Sequence, residues 1–410
     1  MSNSDSSKNV IFLVIVAALG YFVDIYDLVL FSIVRIESFK DLGIPDDQMR
    51  VMGEYVINMQ MGGLLLGGIL WGIMGDKLGR IKVLFGSILL YSLANIANGM
   101  VTNINAYAIV RLIAGIGLAG ELGAGVTLVS ETMSKENRGY GTMIVAGVGL
   151  FGAVLANKIH EMYAWQTAYF VGGGLGLVLL LLRIGTFESG MFKDVVEKEV
   201  PKGNVMLILG NRKNLVKYLH CILIGAPLWF VVGILVTQSP EIGKHLGAVE
   251  PLSAGRGIMY TYIGIATGDI FAGFLAQMTK SRKITMYIFH TLSIISAVVY
   301  LGSKGITTDK FFYLCLFMGF AVGYWATFVT IASEQFGTNI RATVTTTVPN
   351  FVRGALIPIT LLFEFFVKQF DIITAAYILT FLLSGIALFS LSQLKESFGK
   401  DLDYVEDGLS

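Results

Sequence analysis

The chain has 410 residues, of which 54% are hydrophobic and only 14% charged, and its mean hydropathy is +0.70. Soluble domains carry about 45–50% apolar and about 25% charged residues, so this composition excludes an ordinary soluble enzyme and places the chain in a lipid bilayer. Lys plus Arg at 30 against Asp plus Glu at 29 leaves no charge excess for nucleic acid, and two cysteines, Cys221 and Cys315, make no disulfide framework.

A helix needs about 20 residues to cross about 30 Å of hydrocarbon. Runs of that length predict twelve transmembrane helices, at 10–34, 54–75, 83–101, 105–130, 140–160, 165–186, 214–238, 255–279, 284–302, 311–334, 343–367 and 372–393. The first is expected to remain as a span rather than act as a cleaved leader, because Asp24 and Asp27 interrupt it and its Ser-rich flank carries only Lys8. One long polar stretch divides the chain six plus six. The expected layout is a helical bundle over 1–186, a linker at 187–213, a second bundle over 214–394 and a tail at 395–410. Lys77, Arg80, Lys82, Arg138, Lys280, Arg282 and Lys283 all fall on one side if both termini face the cytoplasm, the orientation that positive charge favours. A multi-pass plasma-membrane protein follows. The absence of any N-x-S/T acceptor fits a bacterial inner membrane.

The two halves echo each other. GIMGDKLGRIKV from Gly72 is matched by GFLAQMTKSRKI from Gly273, and SETMSKENRG from Ser130 by SEQFGTNIRA from Ser333, at nearly the same offset. In the second pair a Glu precedes an Arg by seven residues, as Glu131 with Arg138 and Glu334 with Arg341. Such symmetry between six-helix halves is a mark of transporters that hold substrate near the midplane where the halves meet.

The G-x-x-x-D-K-x-G-R-I-K run, with Gly72, Asp76, Gly79, Arg80 and Lys82, resembles the signature loop between helices 2 and 3 of the major facilitator superfamily. YFVDIYDLVLF (21–31), RLIAGIGLAGELGAGVTLVSE (111–131) and PNFVRGALIP (349–358) are similar to its metabolite:proton symporters. The resemblance implies an all-α membrane fold of two pseudo-symmetric six-helix bundles, a small-molecule substrate moved with protons, and a functional monomer. It also implies that Asp76, Arg80, Glu131, Arg138, Arg282, Glu334 and Arg341 form ion pairs and helix-end contacts closing an inner gate, with Gly72, Gly75 and Gly79 letting helices approach there.

Charges inside spans are costly, at about 2.5–3.5 kcal/mol each near the bilayer centre on insertion scales, so each marks a candidate site. Asp24 and Asp27 lie three residues apart on one helix, and their mutual repulsion is relieved when one takes a proton. Glu121, between Gly120 and Gly123, is the third candidate for proton coupling or substrate contact. Asp269 either joins that set or neutralises Arg353. Arg353, with Asn350 one turn away and Pro349 and Pro358 on either side, is the candidate anchor for a substrate carboxylate, since a guanidinium stays charged and presents a planar fork. Tyr324 and Trp325 offer a phenol and an indole to the ligand. Arg111 and Arg353 are the basic residues read within spans; Arg111, near an outer helix end, is assigned a structural role with its tip snorkelling to water. Glycine-rich stretches lie within spans, so no phosphate loop, ATP use, metal cluster or cofactor is expected.

The sequence therefore points to proton-coupled symport of a small carboxylated or zwitterionic metabolite by alternating access. Two rivals remain at this stage. One is proton-driven export of an organic cation or drug, favoured by four deep acids against two arginines; the fifth span lacks the Gly-Pro pair that resembles the antiporter mark. The other is a receptor that binds without transporting.

Overall fold

The computed structural model describes residues 3–78, 80–121, 138–188 and 210–399. The chain divides into two compact units, Met1–Val200 and Pro201–Ser410.

In the first unit the helices are α1 (Asn3–Asp41), α2 (Met49–Leu78), α3 (Arg80–Asn98), α4 (Ile104–Ala119), α5 (Arg138–Met162) and α6 (Trp165–Glu188). In the second they are α7 (Arg212–Leu223), α8 (Ala226–Phe230), a π-helical turn at Val231–Val236, α9 (Ser239–Leu246), α10 (Ala254–Thr279), α11 (Arg282–Leu301), α12 (Thr308–Ala321), α13 (Trp325–Glu334), α14 (Thr338–Gly354), α15 (Leu356–Gln369) and α16 (Ile372–Gln393). Among the described residues, eight helical stretches are long and apolar enough to cross a bilayer, and α4 and the Lys82–Asn98 part of α3 are shorter apolar helices. Leu181, Phe274, Leu361 and Phe389 stand exposed, as lipid-facing side chains do.

Lipid gives no hydrophobic reason for helices to associate, so close backbone contact through small residues does that work. In the first unit α2 packs on α4, where a Cβ at Gly63 would strike the Leu112 carbonyl and one at Gly67 the Ile116 carbonyl. In the second unit α10 packs on α12, where a Cβ at Gly264 would strike the Leu316 carbonyl and one at Gly268 the Phe320 carbonyl. The same pair of glycines meets the same pair of carbonyls in each unit. The repeat read from the loop motifs is thus also built into the packing.

Several expected spans are modified. The first is longer than 10–34, running from Asn3 to Asp41. The tenth is not continuous, because α12 ends at Ala321 and α13 starts at Trp325. The eleventh breaks at Ala355 between α14, which contains Pro349, and α15. Proline removes a backbone donor and crowds the preceding turn, and the break follows within two turns. The seventh is assembled from α7, α8 and the π-helical turn. The described helix of the fourth ends at Ala119 with Gly120 as its cap, and Glu121 lies in the turn that follows. Residues 122–137 lie outside the described chain, as does most of the 187–213 linker.

Candidate functional site

Each unit carries its own buried polar cluster. In the first, Asp24 and Asp27 on α1 are both fully buried. Asp27 accepts at Oδ2 a hydrogen bond from the Asn95 side-chain amide on α3. The Asn95 carbonyl oxygen in turn accepts from Arg111 on α4. The Arg111 guanidinium lies 4.8 Å over the centre of the Tyr169 ring on α6, and the Tyr169 and Tyr107 hydroxyls are 2.6 Å apart. Arg111 is fully buried, which corrects the expectation that its tip reaches water: a carboxamide and an aromatic face replace hydration.

Glu121 is likewise not an isolated carboxylate. Arg183 on α6 donates to both of its oxygens, at 2.8 Å and 2.5 Å, and both side chains are buried. A Cβ at Gly20 of α1 would come within 2.6 Å of Glu121 Oε1, so a larger residue there would have to push the pair aside. Sequence reading treated Arg111 and Arg353 as the basic residues within spans and missed Arg183. Its position inside the 165–186 run was the available signal.

In the second unit Arg353, near the end of α14, is buried with its guanidinium carbon 5.9 Å from the ring centre of Trp229 on α8 and 5.9 Å from that of Trp325 on α13. Asn350 is buried one turn away, and Pro349 and Ala355 give this stretch its irregularity. Tyr324 is buried at the break before α13, with the His290 ring 5.0 Å away. Asp269 on α10 does not pair with Arg353. Its Oδ1 accepts the Ala326 backbone N–H at 2.9 Å, capping the newly exposed start of α13, where the helix dipole favours a negative charge. Trp229 and His290 were not anticipated. Both sit in apolar runs with no charge to draw attention.

A third set of contacts lies at helix ends of the second unit. Arg282 grips Glu334 through two bonds, 2.6 Å from Nε and 2.7 Å from the terminal nitrogen. Arg341 donates to the Ser333 and Phe336 carbonyls, each at 3.2 Å. Glu396, beyond α16, accepts from the Ser281 hydroxyl and from the backbone N–H groups of Arg282 at 3.1 Å and Lys283 at 3.2 Å, capping α11. Burial alone would raise the Glu396 pKa, but the Ser281 hydroxyl and the N–H groups of Phe398, Lys283 and Arg282 outweigh it and hold the carboxyl at about 2. Of the corresponding residues in the first unit, Gly79 and Glu131 lie outside the described chain. For Gly72, Gly75, Asp76, Arg80 and Arg138 the helical backbone is described and the side chains are not.

Comparison with known proteins fits this picture. The chain is 26% identical over 288 residues to the sialic acid transporter NanX of Escherichia coli (strain K12), covering 67% of this chain and 68% of the relative. It is 29% identical over 304 residues to the 3-(3-hydroxy-phenyl)propionate transporter of the same organism, covering 70% and 72%. Its fold is that of a crystal structure of a D-xylose-proton symporter, with a TM-score of 0.71 at 18% identity over 96% of this chain and 99% of that one. The family model described as Major Facilitator Superfamily matches residues 12–354. Paired six-helix bundles, repeated helix packing and ionisable clusters inside the spans are accordingly those of a multi-pass membrane transporter, not an enzyme, and the chain belongs to the Major Facilitator Superfamily.

Proposed function

We propose that this transporter imports a small carboxylate, one carrying a planar or cyclic body, together with protons by alternating access. The observation that carries the reading is Arg353, a buried guanidinium with an indole ring on each of two neighbouring helices. A guanidinium binds a carboxylate through two parallel N–H bonds, and flanking indoles supply flat apolar walls for the remainder of the solute. Sialic acid and 3-(3-hydroxyphenyl)propionate, the solutes in the two relatives' names, are both cyclic carboxylates. Asn350, Tyr324 and Trp325 are assigned to the same substrate contacts.

Asp27 is assigned as the principal proton carrier, with Asp24 beside it. Its link to Arg111 through Asn95 gives the proton something to act on. Glu121 and Asp269 receive different assignments from those their sequence positions suggested. Glu121 is held by Arg183 and Asp269 caps α13, so both are assigned to shaping the site. The pairs Arg282–Glu334 and their counterparts around Asp76, Arg80, Glu131 and Arg138 are assigned to closing the inner side, with both termini in the cytoplasm and a single chain sufficient for transport.

Counting Arg183, which pairs with Glu121, beside Arg111 and Arg353 cuts the acid surplus that favoured export of a cation from two to one, four acids against three arginines. The test is uptake into proteoliposomes under an imposed pH gradient, with benzoate, nicotinate, 3-(3-hydroxyphenyl)propionate and sialic acid as probes and an organic cation as control. Accumulation of at least one acid, driven by external acidity and absent with Arg353→Gln, is expected. Accumulation of none of the acids, or proton-driven extrusion of the cation, contradicts the reading.

A further inference from the structure

The first unit places a neutral carboxamide between an acid and a guanidinium that lie on two different helices. Asn95 donates from Nδ2 to Asp27 and accepts at Oδ1 from Arg111, and all three side chains are buried. Only this orientation of the amide satisfies both partners: reversing it would set two acceptors together and two donors together. Arg111 stays charged at any physiological pH, so the sole member of the trio able to change is Asp27. When Asp27 takes a proton it gains an O–H that competes for the Asn95 carbonyl oxygen, and the carboxylate no longer draws the amide N–H. Sharing that oxygen, and losing the polarisation of the amide by the carboxylate, weakens the bond from Arg111.

We propose that Asn95 is the positioning residue through which proton occupancy of Asp27 sets the orientation of Arg111, and through it the register of α4 against α1 and α3. The inference rests on the proton-coupling assignment of Asp27 above and adds the element that transmits it. Three features of the surroundings support it. Among the described residues, Asp27 Oδ1, Arg111 Nε and one terminal Arg111 nitrogen have no hydrogen-bond partner, so the Asn95 amide is the hydrogen-bonded link between the two charges. A Cβ at Gly172 of α6 would stand 3.3 Å from Asp27 Oδ1, so glycine lets α6 lie close against the buried carboxylate. The face of α5 against this stretch of α1 is glycine as well: a Cβ at Gly149 would strike the Tyr21 ring, and one at Gly152 the Phe22 carbonyl.

The titratable and charged groups around the trio are Asp24 and Tyr26 on α1, Tyr91 on α3, Tyr107 on α4 and Tyr169 on α6, with the Glu121–Arg183 pair beyond Asp24. Tyr26 donates to the Ala168 carbonyl at 2.7 Å and Tyr107 pairs with Tyr169, so these phenols are engaged elsewhere. On α2, Gln60 donates to the Leu28 carbonyl at 3.0 Å and adds no charge.

The test uses infrared titration of the purified protein, in which Asp27→Asn identifies the carboxyl signal of Asp27. Wild type, Asn95→Ala, Arg111→Gln and the double variant are compared. Asn95→Ala is expected to move the titration midpoint by about one pH unit, the size of one charge-assisted hydrogen bond. The shifts of the single variants are expected to fall well short of adding in the double variant, because Arg111 acts through Asn95. Asn95→Asp supplies a conservative check: a protonated acid can donate to Asp27 and accept from Arg111, so proton-driven benzoate uptake should recover at acid pH only. An unmoved midpoint in Asn95→Ala, fully additive shifts, no carboxyl signal removed by Asp27→Asn, or Asn95→Asp working equally at all pH values would each overturn the proposal. If instead Asp27→Asn itself keeps proton-driven accumulation, the proton-coupling assignment fails, whatever the titration of Asn95 variants shows.

Discussion

The helix that ends at Ala119 in the first unit and the one that ends at Ala321 in the second are followed by opposite chemistry. In the first, α4 ends at Ala119 and the next residues bring Glu121 onto Arg183, a charged pair sealed inside the unit. In the second, α12 ends at Ala321 and the break presents Tyr324 and Trp325, with Asp269 capping α13 and Arg353 set against indoles. One scaffold, carried by the same glycine-to-carbonyl contacts, therefore holds carboxylates linked to arginines, directly or through an amide, in one copy and a guanidinium faced by aromatic rings in the other. The first arrangement suits moving a proton between defined partners. The second suits an anion arriving from outside. In this account duplication supplied the frame, and divergence at these helix ends divided the labour.

That division can be broken experimentally, and the largest effects should come from its charges. Removing the anchor with Arg353→Gln is expected to weaken binding of a transported acid by at least about 30-fold, since a desolvated charge pair loses about 2–5 kcal/mol when one side is truncated. The measurement is the half-saturation concentration for counterflow of the probe. Equal affinity in the variant would remove Arg353 from the substrate site.

The buried pair in the first unit should matter to folding more than to affinity. Glu121→Gln leaves Arg183 buried without its counter-charge, at a cost of about 3–5 kcal/mol, seen as a marked fall in thermal midpoint in detergent. Replacing both, Glu121→Gln with Arg183→Met, should recover much of the loss. If Glu121→Gln alone leaves the midpoint unchanged, the pair is not holding the unit together. A smaller effect is expected from the indole walls. Trp229→Leu and Trp325→Leu each remove a ring contact worth about 0.5–2 kcal/mol, so probe affinity should fall by a few-fold to about 30-fold, more for a flat aromatic acid than for a saturated one. Equal losses for both kinds of acid would argue against the indoles as walls.

The smallest effect concerns the Glu396 cap on α11. Its carboxyl is held at about 2, below the ordinary value of 4.5, so the ionised form is preferred in the folded protein. The stability it contributes is fully present above the ordinary value and is lost as the pH falls from 4.5 towards about 2. Thermal midpoints of wild type and Glu396→Gln should differ modestly at neutral pH and converge in acid. A difference that persists unchanged in acid would contradict the capping role.

Much of the frame was legible before any coordinates. Twelve apolar runs, a polar divider and two motif pairs at nearly one offset specify the bundles because lipid permits little else across its core. Asp24, Asp27, Glu121, Asp269 and Arg353 were recognisable as candidates because charge in such runs is expensive. Their partners were less legible. Asn95, Trp229 and Tyr169 are uncharged and common in membrane helices, and Arg183 near the end of its span reads as an ordinary boundary residue. Pairing is a property of three dimensions: Glu121 and Arg183 are separated by a whole span, as are Asp269 and Ala326. The helix breaks at Val322–Tyr324 and Ala355 were also hidden, since an apolar run looks the same whether its helix is continuous or interrupted.

The most direct test of the division between a proton-handling unit and a cargo-handling unit sets Asp27→Asn beside Arg353→Gln in proteoliposomes, measuring both pH-driven accumulation and pH-neutral exchange of the same labelled acid. The account predicts that Asp27→Asn abolishes accumulation while retaining exchange, and that Arg353→Gln loses both. Identical losses in the two variants, or accumulation surviving Asp27→Asn, would contradict it.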